Sequence, residues 1–229
     1  MTLAATPTTQ NQTSFVEWQR ATWQDYIDSR DNLAPDQYRL FFHQGYLLIT
    51  EMGWEGINHA TICDLFTIIL GFWFSLHPEQ VASSIGRCLL EKGQNTAGAP
   101  DLVLYLGDDY PRWQAGQPRR VDLNRWRAPD LVGEISDTTL ASDLDEKKQL
   151  YAALGIPEYW VIDVRGSRVF AFMLQDDGKY QLTKMSEALK GLPVELLEQT
   201  IAKLETDSNI SAAQWFNQQV MKLGGQASA

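Results

Sequence analysis

The chain has 229 residues, 44% of them hydrophobic, and a formal net charge of −10. This size allows one domain with a full core, and the charge excludes broad electrostatic attraction to nucleic acid, although not a local basic groove. Cys63 and Cys88 are far apart and form no CxxC pair. We therefore expect two reduced, buried thiols in a cytoplasmic protein and no structural zinc site.

The N-terminal part predicts a disordered segment, a helix and a hairpin. Residues 1–14 are polar and are expected to be disordered, without the pattern of a signal peptide. A helix is predicted over "SFVEWQRATWQDYIDSRDN", with Ser14 as a candidate N-cap. The stretch "YRLFFHQGYLLITEM" predicts two strands joined at Gln44 and Gly45.

The middle of the chain predicts a buried helix, two strands and a long insert. The helix covers "INHATICDLFTIILGFWFSLH", whose most apolar stretch, Leu65 to Leu76, is roughly half of the ~20 residues that cross a bilayer. We therefore expect no membrane segment. The strands cover "VASSIGRCLLE" and "DLVLYLG", and residues 107–128 read as a loop-like insert rich in Arg, Gly and Pro.

The remaining elements alternate between strand and helix. A strand is predicted at "DLVGEIS", a helix at "DLDEKKQLYAALG" with Gly155 as its C-terminal glycine, and strands at "EYWVIDV", "RVFAFML" and "KYQLTKM". Asp-Asp-Gly at 176–178 marks the last hairpin, and two amphipathic helices follow near 193–205 and 211–223. Strands interleaved with helices predict the mixed α/β (α+β) class.

Two similar phrases, "APDLVLYLG" and "APDLVGEIS", carry carboxylates into apolar strands, where they need partners. Asp130 and Glu134 share a strand but lie about 13 Å apart at ~3.3 Å per residue, too far to share one ion. Asp101 begins a different strand, and a neighbouring strand lies only ~5 Å away. Asp101 and Glu134 therefore make a candidate pair for Mg²⁺, which prefers oxygen ligands.

A lysine on the following helix is the third candidate. At ~100° per residue, Lys147 falls near the middle of the apolar face, while Lys148 sits at its edge. That face is defined by Leu144, Leu150, Tyr151 and Leu154. A lysine in an apolar stripe must reach a carboxylate, a phosphate or solvent.

The passage "APDLVGEIS…DLDEKKQLYAALGIPEYWVID" resembles the signature of the Uma2 family, which is common in cyanobacteria and was formerly catalogued as a domain of unknown function. That family belongs to the PD-(D/E)xK nuclease superfamily. The resemblance covers residues 36–185 and is strongest from Pro129 to Asp163. It implies a restriction-endonuclease-like fold, a curved mixed sheet flanked by helices, over residues 15–185, with a C-terminal helical extension over 186–229.

The resemblance also implies roles for particular residues. Asp101, after Pro100, looks like the first metal-binding aspartate of the superfamily. Glu134 and the backbone carbonyl of Ile135 complete the ligand set for Mg²⁺, with Mn²⁺ as the alternative ion. Ser136 occupies the usual lysine position, and Lys147 matches the lysine that Uma2-like proteins supply from the next helix. Lys147 would orient water or stabilise negative charge.

Other residues allow both a functional and a structural interpretation. His59 resembles a histidine that Uma2-like sequences carry at the start of the long helix, and it either contacts substrate or is satisfied by its neighbours. Glu51 and Glu55 are weaker candidates from the same region. Asp130 and Asp163 are expected to cap strand ends or loops.

The insert supplies a further set of candidates for DNA contacts, because guanidinium groups bind phosphate and indoles stack on bases. Either its arginines bind phosphate and its tryptophans stack on bases, or the arginines pair with surface carboxylates and the tryptophans pack under the loop. The set comprises Arg112, Arg119, Arg120, Arg125 and Arg127, with Trp113 and Trp126.

The resemblance implies a Mg²⁺-dependent endonuclease that acts on DNA, and many enzymes of this superfamily are homodimers. Two other functions remain open from the sequence: a catalytically inactive interaction protein that keeps the fold, and a hydrolase of another phosphoester. Mg²⁺ titration of the wild type and of variants at Asp101 and Glu134 would separate the first function from the second.

Overall fold

The computed structural model describes residues 17–51 and 56–226, in which two six-stranded sheets pack with six helices. The strands are β1 (Gln19–Arg20), β2 (Tyr38–His43), β3 (Tyr46–Glu51), β4 (Ala82–Ser84), β5 (Leu90–Lys92), β6 (Thr96–Gly98), β7 (Leu102–Leu106), β8 (Val121–Asp122), β9 (Leu131–Ser136), β10 (Glu158–Asp163), β11 (Arg168–Leu174) and β12 (Tyr180–Thr183). The helices are α1 (Trp23–Asn32), α2 (Ile57–Ser75), α3 (Leu140–Leu144), α4 (Glu146–Leu154), α5 (Val194–Ala202) and α6 (Asn209–Gln226).

The first sheet is built around the predicted hairpin of β2 and β3. Gln44 and Gly45 connect the two strands with φ angles of 49° and 79°, as a tight turn between right-twisted strands requires. The strand order is β1-β3-β2-β6-β5-β8. This sheet therefore uses both the N-terminal hairpin and β8, a short strand within the Arg-rich insert.

The second sheet has the order β12-β11-β10-β9-β7-β4 and contains both parallel and antiparallel pairs. β9 and β10 run parallel, and α3 and α4 form the crossover that a parallel pair needs. The other pairs are antiparallel, including β7 with β9. The predicted mixed sheet is confirmed.

Each face of the second sheet is covered by a different layer, which follows from the alternation of side chains along a strand. Leu131 and Trp160 face a core shared with α2, α5 and α6. Val132 and Val161 face the opposite core, shared with α4 and the first sheet. Glu134 is two residues after Val132 and is therefore directed toward α4.

The helix α2 is longer than the apolar stretch considered above. Its 19 residues are long and apolar enough to cross a membrane, but the core helix of a folded protein passes the same test. Eight of its residues are buried, and it packs along α6. Within the described residues, α2 therefore acts as a core helix.

Some predicted boundaries were wrong. The first helix begins at Trp23, because Thr22 and Asp25 form a reciprocal capping box there. The single strand predicted at 81–91 is two strands in different sheets, separated by a turn in which Arg87 has a φ angle of 65°. Residues 1–14 and the proposed cap at Ser14 lie outside the described residues.

The C-terminal helices agree with the predicted pair, although α6 extends from Asn209 to Gln226. A 3-10 turn, Lys203–Glu205, follows α5. Leu197 of α5 and Phe216 of α6 are fully buried in the core that α2 shares with the second sheet. The proposed boundary at residue 186 stays a prediction.

Candidate active site

Asp101 lies immediately before β7, where three segments of the chain contact its carboxylate. The guanidinium of Arg39, on β2, forms an ion pair with Oδ1. Oδ2 accepts the backbone N–H of Ile135 at 2.8 Å and lies 3.4 Å from Nε2 of His59. Burial alone would raise the pKa of Asp101, but the contacts from His59 and Arg39 outweigh burial and lower that pKa well below its usual range.

The backbone of Asp101 is fixed by a close approach of another turn. The Arg87 N–H donates to the Pro100 carbonyl at 2.8 Å. A Cβ added to Gly86 would lie 2.2 Å from the Asp101 carbonyl oxygen, so this position requires glycine. The turn between β4 and β5 therefore fixes the position of Asp101 immediately before β7.

Glu134 lies in the middle of the buried strand β9, on the α4 side. Continuing the β7–β9 register beyond the pair Leu102–Gly133 places Asp101 opposite Glu134. Oε2 of Glu134 accepts from Nζ of Lys147 at 3.0 Å, and Oε1 accepts from the hydroxyl of Tyr151. Burial raises the pKa of Glu134 to about 7, while the charge of Lys147 opposes this rise.

Lys147 is buried, as its position on the apolar face of α4 predicts. Its Nζ lies 3.0 Å from Glu134, 2.8 Å from Oδ1 of Asp143, and 4.2 Å from the ring centre of Phe41. Burial alone would lower the pKa of Lys147, but the charges of Asp143 and Glu134 prevail and raise it. Lys147 is therefore an ammonium ion enclosed by two carboxylates and an aromatic face.

Asp143 is a central residue that the sequence analysis missed. It is fully buried, and Oδ2 accepts hydroxyl groups from Ser136 and, at 2.6 Å, from Thr139. Ser136, at the usual lysine position, thus supports the acid that holds Lys147. The available signal was the repeated spacing of four in Asp143, Lys147 and Tyr151, which would place their side chains on one face of the predicted helix. In the structure that helix is interrupted at Asp145, so Asp143 lies on α3 and the other two on α4.

The backbone carbonyl of Ile135 is directed toward the same place. In an extended strand, the N–H and C=O of one residue point to the same side. The Ile135 N–H points to Asp101, whereas the carbonyl of Ser136 bonds in the opposite direction, to Val164 at 3.0 Å. Two carboxylates from adjacent strands and one carbonyl directed toward β7 are therefore oxygen donors of the kind that Mg²⁺ prefers.

A second set of potential ligands overlaps with this one. Among the described residues, one group of three His, Cys, Asp or Glu side chains has its ligand atoms within 4.8 Å of one another, and it consists of His59, Cys63 and Asp101. Glu134 is not part of that group. The sequence predicts Glu134 as the metal-binding partner of Asp101. In the structure, the ligand atoms grouped with Asp101 belong to His59 and Cys63.

Arg127 is held by the protein itself. Its guanidinium donates to the carbonyls of Asp109 at 2.8 Å and of Leu106, forms an ion pair with Asp130 at 2.8 Å, and lies 5.1 Å from the ring centre of Tyr105. Asp130 in turn accepts the Leu106 N–H at 2.6 Å. Asp130 is therefore a strand-end cap, as predicted.

The other predicted arginines divide into one internal and three exposed residues. Arg120 contacts the buried Glu91 at 2.6 Å, and Glu91 also accepts from the hydroxyl of Tyr26. Arg112, Arg119 and Arg125 are exposed, and Arg112 donates to the hydroxyl of Tyr110 at 3.1 Å. These exposed arginines are therefore the part of the insert that is available to an external anion.

The weaker candidates fall outside the cluster or have structural partners. Glu51 is exposed at the end of β3, and Glu55 lies outside the described residues. Asp163 accepts two backbone N–H groups of the following turn, at 3.1 and 3.0 Å. Cys88 is half-buried rather than buried.

Comparison with known proteins identifies the family of the chain. The model of the family described as "Uma2: Putative restriction endonuclease" matches residues 23–206. The chain belongs to the Uma2 family. No curated protein matches this Uma2 chain.

One solved structure similar to the Uma2 chain is described as "a putative nuclease belonging to DUF820", from Anabaena variabilis ATCC 29413. The TM-score is 0.52 at 18% sequence identity, over 85% of this chain and 98% of that chain. At this identity the likeness concerns the fold. The mixed sheet flanked by helices is thus a fold that this Uma2 chain shares with that protein.

The pKa of Glu134 predicts how the stability of this Uma2 protein depends on pH. Burial raises this pKa from 4.5 to about 7, so the folded protein binds a proton more tightly than the unfolded chain. The resulting stabilisation is complete below pH 4.5 and is lost as the pH rises through 7. We expect Glu134→Gln to remove this loss. The change in the free energy of unfolding over this pH range should then differ between the two proteins by at most about 3 kcal/mol.

The measurement is the free energy of unfolding in urea from pH 4.5 to 8 for the wild type and Glu134→Gln. Burial lowers the pKa of His43 and gives a dependence of opposite sign, but that residue is present in both proteins and cancels in the comparison. Parallel pH profiles for the two proteins would contradict the expected role of Glu134.

Proposed function

We propose that this Uma2 protein is a Mg²⁺-dependent endonuclease that hydrolyses phosphodiester bonds of DNA. The observation that carries the proposal is that two buried carboxylates, Asp101 and Glu134, belong to adjacent strands in opposing register, and that the buried ammonium of Lys147 contacts Glu134. The descriptions of the family and of the Anabaena protein support a nuclease. We assign Mg²⁺, with Mn²⁺ as a substitute, to Asp101, Glu134 and the carbonyl of Ile135.

The metal, when bound, would polarise the phosphate and lower the pKa of a water molecule. The chain's own groups do the remaining work. Lys147 keeps its proton because its pKa is raised, and its positive charge stabilises negative charge that develops on the phosphate. The Tyr151 hydroxyl holds one oxygen of Glu134, and Arg39 and the Ile135 N–H hold Asp101. These contacts orient both carboxylates before substrate arrives.

We assign contacts with the DNA backbone to Arg119 and Arg125, because both are exposed on the insert. Arg127 and Arg120 support the insert from inside, through Asp130 and Glu91 respectively. His59 is 8% exposed and contacts Asp101, so a role beside the metal suits it better than direct contact with DNA. A homodimer, which would present two sites to two strands, belongs to the same proposal.

A second candidate is a non-catalytic interaction protein that keeps the nuclease fold. It is favoured by the internal partners of both carboxylates. Asp101 contacts Arg39 and Ile135, while Glu134 contacts Lys147 and Tyr151. Such a network satisfies buried charges without any ion, as a purely structural cluster does.

Cleavage of plasmid and oligonucleotide DNA with Mg²⁺ or Mn²⁺ tests the proposal, together with Mg²⁺ titration of the protein. The two "APD" phrases supply a matched pair of variants, Asp101→Asn and Asp130→Asn. We expect the wild type and Asp130→Asn to bind Mg²⁺ and cleave DNA, and Asp101→Asn to lose at least about 10²-fold in rate. A wild type that neither binds Mg²⁺ nor cleaves would favour the interaction protein.

A further inference from the structure

We propose that His59, Cys63 and Asp101 form a binding site for a thiophilic divalent cation such as Zn²⁺. His59 and Cys63 lie four residues apart on α2, so one turn of the helix directs both side chains to the same face. Nδ1 of His59 is 3.5 Å from Sγ of Cys63, and Nε2 is 3.4 Å from Oδ2 of Asp101. The ligand atoms of the three residues lie within 4.8 Å of one another.

The donor atoms decide which ion this site prefers. Imidazole nitrogen, thiolate sulfur and carboxylate oxygen are the ligands of Zn²⁺ and its chemical neighbours. Mg²⁺ favours oxygen ligands and is not matched by a thiolate. The site is therefore distinct in chemistry from the set of Asp101, Glu134 and the Ile135 carbonyl, although both use Asp101.

The separations are close to those that zinc requires. Bond lengths of ~2.0–2.1 Å to nitrogen or oxygen and ~2.3 Å to sulfur place tetrahedral ligand atoms about 3.3–3.6 Å apart. One nitrogen of His59 binds the ion, so the ring turns, and the three atoms, which lie within 4.8 Å of one another, close by up to about 1.5 Å. Rotation of the imidazole and thiol about their side-chain bonds can supply this movement.

The surroundings of the three ligands support a metal site. His59, Cys63 and Asp101 are 8%, 5% and 4% exposed, which keeps bulk water from competing for the ion. Arg39 and the Ile135 N–H already fix the carboxylate, as outer partners do in metal sites. The preceding residues of α2, Ile57 and Asn58, are exposed, so His59 lies just inside the surface. Three protein ligands leave a fourth position for water.

One consequence concerns cleavage and rests on the proposed function. Because Asp101 belongs to both ligand sets, Zn²⁺ at His59 and Cys63 competes with Mg²⁺ for that carboxylate. We expect Zn²⁺ to inhibit DNA cleavage by the wild type and to inhibit Cys63→Ala at concentrations more than about tenfold higher. Binding of Zn²⁺ itself does not depend on nuclease activity.

Direct binding of Co²⁺, a coloured substitute for Zn²⁺, tests the site in the full-length, reduced protein after treatment with a chelator. We expect one Co²⁺ per chain, a thiolate-to-cobalt charge-transfer absorption, and displacement of Co²⁺ by Zn²⁺. Cys63→Ala should abolish the charge-transfer absorption and weaken binding by more than about 100-fold, since even the loss of an outer partner costs ~10–100-fold. Cys88→Ala, at the other cysteine, is the matched control and should behave as the wild type.

Absence of Co²⁺ and Zn²⁺ binding would overturn the site, as would a charge-transfer absorption that survives in Cys63→Ala. If Cys63→Ala does not fold, Cys63→Ser keeps the side-chain size and should also lose the absorption. The two proposals fail separately. A protein that binds Co²⁺ through Cys63 but cuts no DNA retains this site and loses the nuclease, and a protein that cuts DNA without binding Co²⁺ does the reverse.

Discussion

Replacing Lys147 by methionine is expected to lower the rate of Mg²⁺-dependent DNA cleavage by about 10²–10³-fold, the usual loss for one electrostatic group at a reacting centre. The ammonium is held between Glu134 and Asp143, at 3.0 and 2.8 Å, and its pKa is raised. It therefore carries a fixed positive charge beside the proposed metal ligands. Methionine keeps the length and apolar stem of the side chain but removes this charge.

Lys148→Met is the matched control for this variant. Lys148 is the next residue of α4, but its Nζ lies 4.9 Å from the ring centre of Phe172, away from the carboxylates. We expect Lys148→Met to cleave DNA at the rate of the wild type. Lys147→Arg, which keeps the charge, should retain more activity than Lys147→Met. A folded Lys147→Met protein with wild-type activity would remove Lys147 from the mechanism.

Replacing Asp143 by alanine is expected to destabilise the fold by about 3–5 kcal/mol, the loss observed when one partner of a buried ion pair is removed. Asp143 is fully buried, accepts the hydroxyl groups of Ser136 and Thr139, and forms an ion pair with Lys147. Alanine would leave two hydroxyl groups without their acceptor and reduce the compensation of the ammonium charge. The measurement is urea denaturation of the purified variant at pH 7.

The matched control for Asp143→Ala is Asp137→Ala. Asp137 forms a salt bridge with Arg165 at 3.1 Å, but the arginine side chain is 70% exposed. Such surface pairs contribute about 0–1 kcal/mol, so this variant should unfold near the wild-type midpoint. Equal stability of the two variants would show that the buried contacts of Asp143 are not important for folding.

Local patterns predicted those elements of the fold that local interactions determine. Gln44 and Gly45 favour a tight turn by themselves, and Gly155 ends α4 in the left-handed conformation, with a φ angle of 78°. The short strand β6 was missed, because three residues carry too little periodicity to be recognised. Its pairing with β2 and β5 depends on contacts between distant segments.

In the candidate site too, local patterns identified some residues, and others depended on contacts between distant segments. Lys147 was identified from the helical wheel because its neighbours on α4 are apolar, and Asp101 and Glu134 from carboxylates in apolar strands. Arg39 was not identified, since its β2 sequence is an ordinary strand and only the packing of two sheets brings it to Asp101. The contact between His59 and Cys63 follows from helical spacing, but their approach to Asp101 required the tertiary structure.

The charges of Arg39 and Lys147 have a consequence for how such a protein would be controlled. Each cation contacts one of the carboxylates assigned to the metal, and with Asp143 the pocket has three carboxylates and two cations, so most of its negative charge is compensated before any ion arrives. Small domains whose folding free energy comes from a bound metal unfold when a chelator removes the ion. In this protein we expect a chelator to abolish DNA cleavage and leave the chain folded. The supply of the metal ion would then control the activity reversibly.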